Sequence, residues 1–165
     1  MAQRHPGRPQ PAAGKFDPDQ IRLLLEHLID TCRDGEQGYL DAADRVEDPE
    51  LRGFFAEQAR ERGRFAVELR GELERLLGKW ESTREGSVGG MLRRAWIDVK
   101  SALGGGDLAI LESVEAGEDA ARDAYQKALS QLLPPDLLGR LRTQAQSVYA
   151  AHDHVRMLRN RRRAA

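Results

Sequence analysis

Cysteine, aromatic residues and long apolar runs are all scarce in this chain, and each scarcity removes a class of protein. A single cysteine, Cys32, among 165 residues excludes an internal disulfide framework and a cysteine-rich zinc site. No apolar stretch approaches the ~20 residues needed to span a membrane. The opening MAQRHPGRPQPAAGK lacks the apolar core of a secretory signal, so the expectation is a cytoplasmic protein. Aromatics make up 5% and charged residues 32%, and the rest is rich in Ala and Leu, a mixture that favours helix over sheet. No alternating strand pattern occurs. Nucleophile motifs and phosphate-cradling loops are also missing: GGGD at 104–107 lacks the strand and the lysine of a P-loop.

The net charge is −1, yet its distribution is uneven. Residues 1–16 hold three basic residues and no acid, and residues 156–165 hold five arginines and no acid. The body between them carries 18 basic against 27 acidic residues. A body of that sign is not built to bind nucleic acid. The arginine-rich C-terminus is the part suited to contact a polyanion.

What is present is helical periodicity. Residues 1–16, with three prolines and two glycines, read as a disordered tail. A domain follows over 17–160, and 161–165 form a basic tail. Asp17-Pro18 has the N-cap and first-turn proline of a helix start. The first helix then carries Ile21, Leu24, Leu25, Leu28, Cys32, Gly35, Tyr39, Ala42 and Val46 on one face. EDPEL at 47–51 breaks it and restarts a second helix, to about Gly78, through Leu51, Phe54, Phe55, Phe65, Leu69, Leu73 and Leu76. Residues 79–90 read as a linker, and a shorter helix over about 88–103 carries Met91, Leu92, Ala95, Trp96, Val99 and Leu103. The third long helix, about 107–132, aligns Leu108, Leu111, Val114, Glu118, Ala121, Tyr125, Ala128 and Leu132. After LPPD the fourth, about 136–160, aligns Leu138, Leu141, Ala145, Val148, His152, Val155 and Leu158.

Four long amphipathic helices in two tight hairpins predict an all-α four-helix bundle. The piece joining the second and third helices is too long for a simple hairpin loop. It suits a crossover helix running the length of the bundle, giving up-down-down-up order, one of two arrangements the geometry leaves open.

The first helix contains an anomaly. In TCRDGEQGYLDAADRV, residues 31–46, two glycines and Glu36 interrupt the apolar stripe, although a glycine inside a helix costs about 1 kcal/mol relative to alanine. Close helix contact around a polar centre would explain both. CRDGEQGY, DPELRGFFAEQARERGRFAVEL, the W-x-D-x-K-x-A-L pattern from Trp96, ESVEAGEDAARDAYQKAL and AAHDHVRMLR together resemble a bacterial ferritin-like family, domain of unknown function 2383, over roughly residues 20–158. That resemblance implies a ferritin-like bundle and no established activity.

Ferritin-like carboxylate proteins place one Glu on each of two helices and a Glu-x-x-His pair on each of the other two. Here the matching positions are Glu36; Glu57 with Arg60 at the histidine place; Glu118, with Glu115 one turn earlier; and Tyr149 at the glutamate place with His152. Their levels along the helices agree to within about one turn. Arg60 and Tyr149 remove one imidazole and one carboxylate. An arginine is no metal ligand and stays protonated. Turned inward, it would supply the positive charge that buried carboxylates otherwise take from metals. The expectation is a polar network that includes Arg60 and Tyr149 in place of a di-metal site, with no catalytic residue and no cofactor. The protein would be a non-enzymatic, stress-related bundle that forms homo-oligomers. A second reading keeps Glu36, Glu57, Glu118 and His152, with Glu115 in reserve, as a site for iron or manganese with oxidase-type chemistry. Arg60 discriminates: inward and paired favours the network, outward beside an open cavity favours the metal. Cys32 reads as a buried core residue, and Trp96 as the anchor of the crossover helix.

Overall fold

Two aspartate–proline steps open the first two helices of the computed structural model, which describes residues 16–79, 96 and 105–165. At each step the carboxylate accepts backbone N–H groups that the first helical turn leaves free, and the proline has none to satisfy. Asp17 Oδ1 takes Asp19 N at 3.0 Å and starts α1, Pro18–Arg45. Asp48 Oδ1 takes Glu50 N at 2.8 Å and starts α2, Pro49–Leu77. Gly78 closes α2 at a φ of 83°, in the left-handed region that favours glycine. α3 spans Gly106–Leu129 and α4 spans Pro135–Ala164. The protein is an all-α four-helix bundle, with no strand among the described residues.

Contacts at the two ends fix the directions. Asp107, at the start of α3, accepts from the backbone N–H groups of Glu47 and Asp48, at 2.8 and 3.1 Å, in the α1–α2 turn. Arg162, near the end of α4, reaches Asp48 and Asp107 at this same end. At the opposite end Glu72 of α2 accepts from Arg140 of α4 at 2.8 Å. Thus α1 and α4 run one way and α2 and α3 the other. α1 packs on α2 and α3, and α4 packs on α3 and, over a short stretch, α2. The chain from Gly78 to Gly105 therefore joins opposite ends of the bundle.

Two boundaries differ from the periodicity. α3 stops at Leu129, which leaves Leu132 in the connection and 74% exposed instead of on the buried face. α4 runs on to Ala164, through residues assigned to a basic tail. The N-terminal tail to residue 15, the linker beyond Lys79 with Trp80, and the helix over 88–103 lie outside the described residues, except for Trp96. That residue is helical and buried.

The core falls into two apolar clusters. One gathers Leu25, Leu28, Phe65, Leu69, Leu137 and Leu141; the other gathers Tyr39, Phe55, Trp96, Leu111, Val114 and Val155. Every helix crosses the level between them with polar or small residues: Gly35 and Glu36, Arg62, Gly117 and Glu118, and His152.

Candidate functional site at the bundle centre

Arg62 and Glu118 face each other across that level, and both are almost wholly shut off from solvent, at 1% and 0% exposure. One guanidinium nitrogen, Nη2, donates to both carboxylate oxygens at 2.9 and 3.0 Å. Nη1 lies 3.5 Å from Glu61 on the same helix. Arg62 points inward because it is one heptad after Phe55 and one before Leu69, within about 20° of both on a helix of 3.6 residues per turn. Its stem packs directly on α1 at Gly35, where a Cβ would stand 3.4 Å from Arg62 Cγ, an ordinary van der Waals contact. The rings of Tyr39 and Phe65 flank the guanidinium, centroids 5.8 and 5.9 Å away, presenting faces that attract a cation.

Burial alone would lower the pKa of Arg62, but the Glu118 carboxylate more than reverses it, and the guanidinium stays charged. Burial, and next the Glu118 charge, push the Tyr39 hydroxyl well above its ordinary range. A buried ion pair gains little net stability over an apolar packing of the same volume. Removing one partner strands the other, and that costs much more.

A second polar chain starts beside the pair. Cys32 Sγ lies 3.3 Å from Tyr125 Oη, Tyr125 donates to Gln144 Oε1 at 2.8 Å, and Gln144 Nε2 donates to Glu68 at 2.9 Å. Tyr125 spends its one hydrogen on Gln144, so the thiol is the donor to Tyr125. Burial pushes the thiol pKa up to about 11. Cys32 is therefore a protonated core residue, as its place in the stripe predicts.

One of the two glycines of α1 now has a reason. Gly35 lies in ordinary contact with the Arg62 stem, and it is Gly38 that a close approach requires, because it accommodates Trp96. The indole slots between α1 and α3, where a Cβ on Gly38 would come within 2.1 Å of Trp96 Cε3 and one on Gly117 within 2.2 Å of Cε2. Tyr39 packs against the indole, with ring centroids 5.3 Å apart and planes tilted by 53°.

The residues expected to form the centre are only partly gathered there. Glu118 is its buried carboxylate. Glu36 is half-buried and lies over Gly63, where a Cβ would stand 2.6 Å from Oε1. Glu57 and Arg60 are exposed, and Arg60 Nε turns back to Ala56 O on its own helix at 3.3 Å. The inward arginine is Arg62, two residues later, which is about 200° around the helix and hence nearly the opposite face. Glu115 pairs with Arg159 of α4 at 3.0 Å. His152 is buried, but its Nε2 lies 2.8 Å from Asp119 and 3.3 Å from Arg122, and its Nδ1 lies 3.2 Å from Asp153. Tyr149 is half-buried and packs against the first cluster; burial raises its hydroxyl pKa and Arg122 opposes that.

A ferritin-type di-metal centre needs carboxylates and imidazoles converging on one cavity. Here a guanidinium occupies Glu118, Glu57 is at the surface, and Asp119 takes the imidazole of His152. Among the described residues no three His, Cys, Asp or Glu side chains are grouped to hold a metal ion. The residues present do not fit that centre.

Residues 20–131 match the model of a family described as Domain of unknown function (DUF2383). The chain belongs to that family. The DUF2383 match takes in Arg62, Glu118, Trp96 and the two glycines that receive the indole, and it stops short of α4. Tyr149, His152 and the AAHDHVRMLR motif therefore lie outside it, although the resemblance extends to residue 158. No curated protein matches the chain.

Proposed function

We propose that this DUF2383 bundle is a non-enzymatic helical module whose centre is closed by an ion pair in place of a metal site. The observation that carries the reading is the Arg62–Glu118 pair. A guanidinium holds its proton at every physiological pH and offers no lone pair to a metal. It neutralises the one fully buried carboxylate of the bundle centre and supplies there the charge a metal would bring. General acid–base or nucleophilic work requires a group that can reach a substrate, and this pair is sealed on all sides. Arg60 points outward, which by itself would favour a metal site, but the open cavity such a site requires is filled by Arg62.

Elemental analysis of the purified protein after iron and manganese loading tests this, beside a Glu36→Ala control. Metal well below one equivalent, equal in both proteins, is the expected result. Stoichiometric metal that the control loses would overturn the reading and revive oxidase-type chemistry. A module with no central chemistry acts through its surface, and sedimentation analysis would read self-association, the first mode to examine. No helix among the described residues is long and apolar enough to cross a membrane, so membrane spanning by these helices is not that mode.

A further inference from the structure

A groove of about 420 Å³ opens between the first half of α1 and the last turns of α3, at the end of the bundle remote from the Asp48–Arg162 contact. Its volume falls in the range of small-molecule sites, roughly 300–1,000 Å³. The walls are aliphatic, with Leu24, Leu28, Ala124 and Leu133 among them. Leu23 and Leu132 line it while standing 51% and 74% exposed, more apolar surface than a solvated rim needs. Two nitrogen groups meet across it. Lys127 on α3 is an exposed ammonium with no ion-pair partner among the described residues. His27 on α1 has a buried Nδ1 that makes no hydrogen bond among those residues. Burial, and then the charge of Lys127, lower the pKa of His27 against the opposing pull of Asp30, so the imidazole is neutral at pH 7. Asp30 is not among the groove's lining residues, and Asp17, the carboxylate that is, is engaged in capping α1 and sits about 15 Å along that helix from His27.

We infer that this groove binds a medium-chain aliphatic carboxylate. The alkyl chain lies along the leucines, and the head group accepts from the Lys127 ammonium, beside the neutral His27 ring. The charge complementarity is specific: one exposed cation and a neutral ring stand beside an apolar trough, and the lining carboxylate, Asp17, is engaged in a helix cap. The site is separate from the Arg62–Glu118 pair and needs no chemistry from it.

Isothermal titration of the full chain with decanoate, below its micelle concentration, tests the assignment, with decanol as the uncharged analogue. One decanoate per chain is expected. Lys127→Gln should weaken it about tenfold, the contribution of one charge-assisted hydrogen bond, and leave decanol binding unchanged. Leu132→Glu, at an exposed position that the fold does not depend on, should abolish decanoate binding. The inference is overturned by absence of saturable binding, by several equivalents indifferent to both variants (surface adsorption), or by an equal response of decanol and decanoate to Lys127→Gln. It is equally overturned if nuclear Overhauser contacts in the ligand-free protein show another part of this chain, or a second copy, seated on Leu24 and Leu28.

Discussion

Alanine is a better helix former than glycine, yet Gly38 cannot become alanine here. The new Cβ would meet the Trp96 ring at 2.1 Å, so the indole must leave its slot. Gly38→Ala should cost about 1–3 kcal/mol through overpacking, more than its gain in helix propensity returns. Gly71 on α2 has nothing within 4 Å of the corresponding position, and Gly71→Ala should stabilise by up to about 1 kcal/mol. Urea unfolding of the two variants gives opposite signs if Trp96 holds α1 and α3 together; a stabilised Gly38→Ala would deny it that role. Cys32 provides a second test. Its thiol titrates near 11 in the fold against an ordinary 9.0, so folding favours the protonated form. That contribution is intact below about pH 9 and is lost as pH rises through 11. Tyrosines titrate nearby, so the comparison is with Cys32→Ala: the wild type should lose more stability than the variant between pH 9 and 11. Parallel pH curves would contradict a buried, protonated thiol.

Between elements, the contacts that matter were the least legible in the sequence. Helix starts were readable because capping is local: Asp17 and Asp48 reach N–H groups only two residues away. Glu118 was readable because it interrupts the apolar run from Val114 to Ala121. Arg62 carried the same signal, one heptad from Phe55 and from Leu69, but alignment to a Glu-x-x-His pattern drew attention to Arg60. The terminal arginines had no such signal, since a charge run looks solvated until its neighbours in space are known. In the fold Arg159 meets Glu115, Arg163 meets Glu112, and Arg162 meets Asp48 and Asp107. The Asp107 carboxylate in turn holds two backbone N–H groups of the α1–α2 turn. Arg162→Ala should therefore cost roughly 1 kcal/mol at low salt and less at high salt. A salt titration of its unfolding midpoint checks this. No difference from wild type at low salt would mean that the end of α4 is not fastened there.

At the scale of the molecule, the bundle class followed from four amphipathic stripes, whereas the length of chain between the second and the third left two arrangements open, and only the contacts at the two ends fix the direction of the helices. What the stripes could not reveal was how their polar interruptions pair across the interior, because helix rotation and register relative to neighbours are not written in any single segment. Only the fold shows that Arg62 of α2 meets Glu118 of α3, and that Asp119 and Asp153 take the imidazole of His152 at the α3–α4 surface. The central claim is that Arg62 is the counter-charge that lets Glu118 lie buried. The most direct measurement is a double-mutant cycle by urea unfolding with Arg62→Met, Glu118→Leu and the pair together. If the ion pair closes the centre, each single change strands a charge and costs about 3–5 kcal/mol, while the double variant recovers to within about 1 kcal/mol of wild type or exceeds it. Additive losses, with the double variant as unstable as the two single costs combined, would contradict it.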